Sequence, residues 1–246
     1  MIEAKNITTA FGKRIMHDNV SFSIKRGEIY GFLGGSGSGK TTLLKTLIYL
    51  KEPLSGDIFM DGANLWKTNL DKRQEIRLKM GVMFQFGALF SGMSVLDNIG
   101  ILLKEYSKYD KKDIDDIAKM WLLKVGLNAG VANLYPSELS GGMKKRVALA
   151  RSLALSPEIL FLDEPNSGLD PLSARALDRL ICDLRDSLGV TVVMVTHDID
   201  SIFSILDRFL IIYDHKIAYE GDLRGALEFK ENPLRELFMM RSLDGK

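Results

Sequence analysis

The chain has almost no cysteine. Cys182 is the only one among 246 residues, so neither an internal disulfide nor a thiolate metal cluster can be built, and a reducing compartment suits it. Proline is also sparse, with six residues, and no proline- or serine-rich stretch separates one part of the chain from another. Charge of one sign is missing too: 33 Lys and Arg face 32 Asp and Glu, which leaves no global field to draw the chain to nucleic acid. Nucleic acid is therefore not expected as a partner. Long apolar runs are absent. The best candidates, Phe209 to Tyr213 and Val192 to Val195, are strand-sized and fall far short of the roughly 20 residues of a spanning helix. The opening Met1-Ile2-Glu3-Ala4-Lys5-Asn6 leads into no apolar stretch of signal-peptide length, and the chain is expected to remain cytoplasmic.

What is present is a succession of short apolar runs that end in small or charged residues. Ile29 to Leu33 enters a glycine-rich loop, Ile159 to Leu162 enters Asp163-Glu164, and Val190 to Val195 enters Thr196-His197-Asp198. Runs without polar alternation belong to strands covered on both faces, the habit of a parallel sheet. Between them lie helical patterns, Leu43, Leu44, Leu47 and Ile48 after the first run and Leu177, Leu180, Ile181 and Leu184 before the third. The fold class is α/β, with a parallel-sheet core. The amino-terminal stretch instead alternates apolar with polar over residues 4–8, 19–24 and 56–60, which predicts half-exposed antiparallel strands. Residues 87–157 read as predominantly helical, including a Lys- and Asp-rich solvated face from Lys104 to Lys119. One unit spanning 1–246 is expected, with a helical subdomain over 87–157 and a helical tail over 223–246.

Gly34-Gly35-Ser36-Gly37-Ser38-Gly39-Lys40-Thr41 has the phosphate-loop spacing and sits between a predicted strand and a predicted helix. Glycines let consecutive N–H groups curl inward on an anion, and the following helix adds its positive end. Lys40 then reaches the β- and γ-phosphates, Thr41 offers its hydroxyl to magnesium, and Thr42 donates to the α-phosphate. Asp163 would hold that magnesium through water, and Glu164 would take a proton from an attacking water. A second anion site is predicted at Ser140-Gly141-Gly142, where Ser140 is placed to cap a helix. One triphosphate does not need two such loops, unless the second serves a nucleotide held mainly by another copy.

With Leu139-Ser140-Gly141-Gly142-Met143 in place, nearly the whole chain resembles the ATP-binding subunits of ABC transporters. The resemblance implies a RecA-like phosphate-loop core, an antiparallel β subdomain, an α-helical signature subdomain, ATP with Mg2+, and ATP hydrolysis. It makes Gln85 a magnesium and water ligand that feels a transmembrane permease, His197 a contact to the γ-phosphate, and Asp170 a residue of the dimer seam. It places Phe11 where a ring stacks on adenine, although simple packing stays open for Phe11 and a turn cap for Asp170. Two copies are implied to pack head to tail around two ATP molecules. Met143 stands where glutamine is more frequent and Asn166 where threonine is, neither of which removes a phosphate donor or the base.

Gly87-Ala88-Leu89-Phe90, Pro136 to Met143 and the tail 232–239 resemble the Mla/Mce-type ATPases that serve lipid transport in the bacterial envelope. That likeness implies phospholipid or other lipid cargo, an Mce-type lipid-binding partner, and a peripheral place on the cytoplasmic face of the inner membrane. An importer ATPase for a small polar solute such as an amino acid keeps the same catalytic residues and is the alternative. Residues 88–90 are read either as a core helix start or as a groove for a helix of the membrane partner. Leu234, Leu237 and Phe238 form an apolar stripe that docks on the chain's own body or on a second copy. His17 and His215 are both expected at the surface.

Overall fold

The computed structural model describes residues 1–236, 238 and 239. Alternation near the amino terminus yields β1 (Ile2–Phe11) and β2 (Arg14–Ile24), which pair antiparallel with Ile2 opposite Ile24 and Ala4 opposite Phe22. With β4 (Ser55–Met60) and the short β5 (Ala63–Asn64) they form a sheet of order β2-β1-β4-β5. The register of β1 on β2 shifts three times between Ala4 and Ala10, so the strict alternation holds only toward the β1 start.

The fully apolar runs give the second sheet. Its strands β3 (Ile29–Gly34), β6 (Met80–Met83), β7 (Ile159–Asp163), β8 (Thr191–Val195) and β9 (Arg208–Tyr213) are parallel, and β10 (Lys216–Gly221) closes one edge antiparallel. The order is β10-β9-β3-β8-β7-β6, which sets the chemistry-bearing ends of β3, β8 and β7 side by side. Every residue of β3, β7 and β8 is buried. One face of this sheet, with Phe32, Phe161, Val193 and Val195, packs on α1 (Lys40–Leu47) and the antiparallel sheet. The other, with Leu160, Leu162, Val192 and Met194, packs on α6 (Pro171–Leu188) and the helical segment. The remaining helices at the sheet are α2 (Leu70–Leu78), α7 (Ile199–Ile205) and α8 (Leu223–Glu228).

Within 87–157 the helices are α3 (Val95–Tyr106), α4 (Lys111–Lys124) and α5 (Gly141–Leu153). The segment read as one solvated face from Lys104 to Lys119 is divided: α3 ends, and Asp110 caps a new helix by accepting from Asp113 N. The helix-start reading of 88–90 is corrected. Gly87 and Ala88 have φ of +74° and +46°, which no helix tolerates, and α3 begins only after Ser94. In the tail, Phe238 is fully buried between Phe203 and Phe209, edge-on to both rings at 5.8 and 6.0 Å. Leu234 packs in the same cluster, so these two dock on the chain's own body. Leu237 and residues 240–246 of the expected tail lie outside the described residues.

Candidate functional site

The phosphate loop is held open by its glycines and closed by its lysine. Gly34 has φ of +145° and a Cβ there would stand 2.6 Å from the Ile212 carbonyl. Gly39, at φ +101°, caps α1, and its Cβ would meet His17 Nε2 at 2.6 Å. His17 therefore is not a surface residue. It is fully buried beneath the loop, with Nδ1 2.7 Å from Thr9 Oγ1, and burial aided by His215 lowers its pKa to about 4. His215 is exposed, as expected. Lys40 is buried and donates 2.9 Å bonds to the carbonyls of both Gly34 and Gly35. Burial pushes its pKa below that of an ordinary lysine, against the pull of Glu164 and Asp163.

Thr41, one residue on, donates to Asp163 Oδ1 at 3.0 Å. Burial raises the Asp163 carboxyl, and this Thr41 bond opposes the rise. A hydroxyl and a carboxylate held together at the loop's end, with the Gln85 side chain lining the same cleft, form a set of hard oxygen donors that suits magnesium. The Ser38 hydroxyl is buried without a hydrogen-bond partner among the described residues, as a loop made to receive an anion would leave it. Thr42 is buried on α1, and Ser36 is exposed on the loop's rim.

Glu164 follows β7 with φ of +48°, a strained setting for a non-glycine residue. Its N–H donates to Val195 O at 2.9 Å, which ties the strained turn to the end of β8. Its carboxylate is reached from two sides: Gln85 Nε2 donates to Oε2 at 2.8 Å, and His197 Nδ1 lies 3.2 Å from Oε1. Gly34, Gly35, Ser36, Gly37, Gly39, Lys40, Thr41, Thr42, Gln85, Glu164 and His197 thus line one cleft of about 780 Å3, together with Met16 and Leu234. That volume accommodates a nucleotide.

The other expected site residues lie elsewhere. Phe11 ends β1 as a 54% exposed residue, with Lys51 Nζ 4.1 Å from its ring centroid. Ser140 caps α5, accepting from Met143 N at 3.3 Å, and Gly141 and Gly142 open that helix away from the cleft. Asp170 caps α6, where bonds from Ser173 lead those that hold its carboxyl below the ordinary range. Asn166 is buried and donates to Asp178 Oδ1 and Ser201 Oγ, both at 2.8 Å, tying the loop after Glu164 to α6 and α7.

Two buried cations at the site escaped the sequence reading. Lys145 Nζ donates to the carbonyls of Gln85 and Glu164, the second at 3.2 Å. Arg151 donates to Gly87 O at 2.6 Å and Ala88 O at 2.8 Å. Lys145 shares a buried face of α5 with Ala148, Leu149 and Ser152, but in the sequence the neighbouring Lys144 and Arg146 and the polar Ser152 mask that face.

A phosphate loop at the end of a central parallel strand, with an acidic pair on the second strand along, defines a nucleoside triphosphatase of the cassette type. The chain belongs to the ABC transporter family, whose sequence pattern it matches over residues 17–167, and is an ATP-binding, ATP-hydrolysing subunit of that class. It is 40% identical over 231 residues, 94% of this chain and 87% of the relative, to the intermembrane phospholipid transport system ATP-binding protein MlaF of Haemophilus influenzae. It is 38% identical over 245 residues, 100% of this chain and 90% of the relative, to the protein of that name from Escherichia coli strain K12. Its fold is similar to a dimeric post-hydrolysis state of the ATP-binding cassette MJ0796 bound to ADP and Pi. The TM-score is 0.81, at 33% identity, over 92% of this chain and 100% of that one.

Proposed function

We propose that this chain works as the motor of a phospholipid transporter, as a head-to-tail pair bound to transmembrane permease subunits on the cytoplasmic face of a bacterial inner membrane. An Mce-type lipid-binding subunit completes the assembly. The cargo and system are those named for the MlaF relatives, matched over nearly full length. The observation that carries the mechanism is Glu164, held by Gln85 at 2.8 Å and beside His197 at 3.2 Å, in the cleft of the phosphate loop.

Thr41, Asp163 and Gln85 are the residues that would hold magnesium, which when bound neutralises charge on the β- and γ-phosphate oxygens. Lys40 exchanges the two loop carbonyls for those oxygens as ATP enters. Glu164, already turned into the cleft, takes the proton of the attacking water while Gln85 orients that water. His197 contacts the γ-phosphate, and Phe11 offers its exposed ring to adenine. The signature Ser140-Gly141-Gly142 serves the nucleotide of the second copy, with Asp170 at the seam. Closing of the dimer on ATP moves the permease through residues 85–90, where Phe86 and Phe90 are exposed.

Glu164→Gln is expected to bind ATP normally, to accumulate as an ATP-bound dimer in size-exclusion chromatography, and to lose turnover by about a hundredfold or more. Full turnover in that variant overturns the base assignment. The cargo is tested by mass spectrometry on the purified transporter: retained phospholipid supports the reading, and retained amino acid or other polar solute replaces it.

A further inference from the structure

Helix α5 has two ends with different duties. Its first turn presents Ser140, Gly141 and Gly142 outward, whereas Lys145, just over one turn on, points into the body of the chain with 7% of its surface exposed. The ammonium touches no carboxylate among the described residues, the Glu164 and Asp163 carboxylates acting on it only through space, and both of its hydrogen bonds go to main-chain carbonyls, those of Gln85 and Glu164. An ammonium taken out of water without a carboxylate in contact is costly, and an apolar side chain of similar length would fill the same space more cheaply. Packing therefore does not account for a charge here.

The two carbonyls chosen do account for it. They belong to the residues whose side chains meet at 2.8 Å to form the hydrolytic centre, and Glu164 is the one held in a left-handed conformation. Gln85 lies just past β6 and Glu164 just past β7, so no backbone ladder joins these two peptides at that point. Lys145 joins them. Arg151, less than two turns further along α5, takes the carbonyls of Gly87 and Ala88 in the same way. The inner face of one helix thus grips the whole 85–88 segment and the base together.

We infer that Lys145 is a positioning residue that fixes Gln85 and Glu164 in register, and that it makes the hydrolytic centre of one nucleotide follow the signature end facing the other. A displacement of the Ser140 end carries Lys145 with it, and through two hydrogen bonds carries the peptides that aim the base and the water-orienting amide. The inference rests on the roles proposed above for Glu164 and the signature.

Lys145→Met keeps the length and removes the donors. In steady-state ATP hydrolysis by the full transporter, kcat is expected to fall about tenfold or more with KM for ATP within about twofold, because a base displaced by a fraction of an ångström loses rate rather than binding. Lys145→Arg, which restores the donors, is expected to recover most of kcat. A folded Lys145→Met with kcat near that of the parent overturns the inference, as does a joint loss of kcat and ATP affinity that arginine does not repair. Where Lys145→Met does not fold, Lys145→Leu, which also lacks donors, decides: lowered kcat at unchanged KM supports the inference, and parental kcat overturns it. Glu164→Gln is measured alongside. If that variant turns over fully, the base assignment has failed whatever Lys145 does; if it is inactive while Lys145→Met is normal, only the inference about Lys145 has failed.

Discussion

At Gly39 a methyl group would stand 2.6 Å from His17 Nε2, whereas at Gly142 the nearest atom to the same added methyl is Leu169 Cδ2 at 4.0 Å. The two glycine-rich loops of this chain differ in what demands the glycine. In the phosphate loop the demand is internal: Gly34, Gly37 and Gly39 all have positive φ, and at Gly34 and Gly39 the chain's own atoms fill the space. In the signature, Gly141 and Gly142 open an ordinary helix, where alanine would fit without strain. In the proposed head-to-tail pair these glycines leave room for the triphosphate of the second copy at the positive end of α5.

That contrast yields the prediction with the largest effect. Gly142→Ala is expected to fold at least as stably as the parent by urea denaturation, to bind ATP as a single chain, and yet to lose turnover by about a hundredfold, as when a preorganised anion donor is displaced. Gly39→Ala is expected to lose turnover as well, but with about 2 kcal/mol less stability and weakened ATP binding, because the strain is the chain's own. If both variants lost stability and ATP binding alike, the distinction between an inward-facing and an outward-facing loop would fail.

The wall behind Gly39 supplies the next effect in size. His17 has its pKa lowered to about 4 by burial, with repulsion from His215 adding to it, against an ordinary value near 6.5. The unfolded chain therefore takes up the proton first. The stability contributed by neutral His17 is fully present above about pH 6.5, falls as pH drops toward 4 and levels off below it, about 3 kcal/mol in all. His17→Leu removes this component, so the difference in unfolding free energy between parent and variant should change over that window. A constant difference from pH 7 to 4 would show that His17 does not titrate beneath the phosphate loop.

His17 also marks where reading the sequence stops short. Strands β3, β7 and β8 were legible because a sheet covered on both faces leaves unbroken apolar runs, and the loops at their ends carry Lys40, Asp163, Glu164 and His197 at spacings that state their chemistry. In β2 the parity set by Val20, Phe22 and Ile24 places residue 17 outside. Positive φ at Asn19 and the register shifts opposite it break that parity, so that Asp18 is exposed and His17 is buried beside Met16. Lys145 was hidden for another reason. It stands in the run Lys144-Lys145-Arg146, and its partners are carbonyls 60 and 19 residues away, which carry no side-chain signature. The turn at 87–94 is likewise held from two sides: Arg151 of a distant helix takes the carbonyls of Gly87 and Ala88, and buried Asn98 accepts from Phe90 N and donates to the carbonyls of Phe90, Met93 and Ser94.

The smallest effect separates the cap from the contact at Ser140. Its hydroxyl accepts from Met143 N at 3.3 Å, a long bond at an exposed helix end, and α5 is otherwise secured by a buried face from Lys145 to Leu153. Ser140→Ala is therefore expected to cost about 0.5 to 1 kcal/mol in thermal or urea unfolding, the lower part of the range for a lost N-cap. Ser140→Asp keeps the cap and adds a negative charge that the helix N-terminus stabilises, so its stability should match or exceed that of the parent. The same charge would face the phosphates of the second copy, and ATP turnover of Ser140→Asp should fall well below that of Ser140→Ala. Were the aspartate variant as active as the parent, the outward end of α5 would not meet a triphosphate, and the two glycine loops would no longer divide one site between two chains.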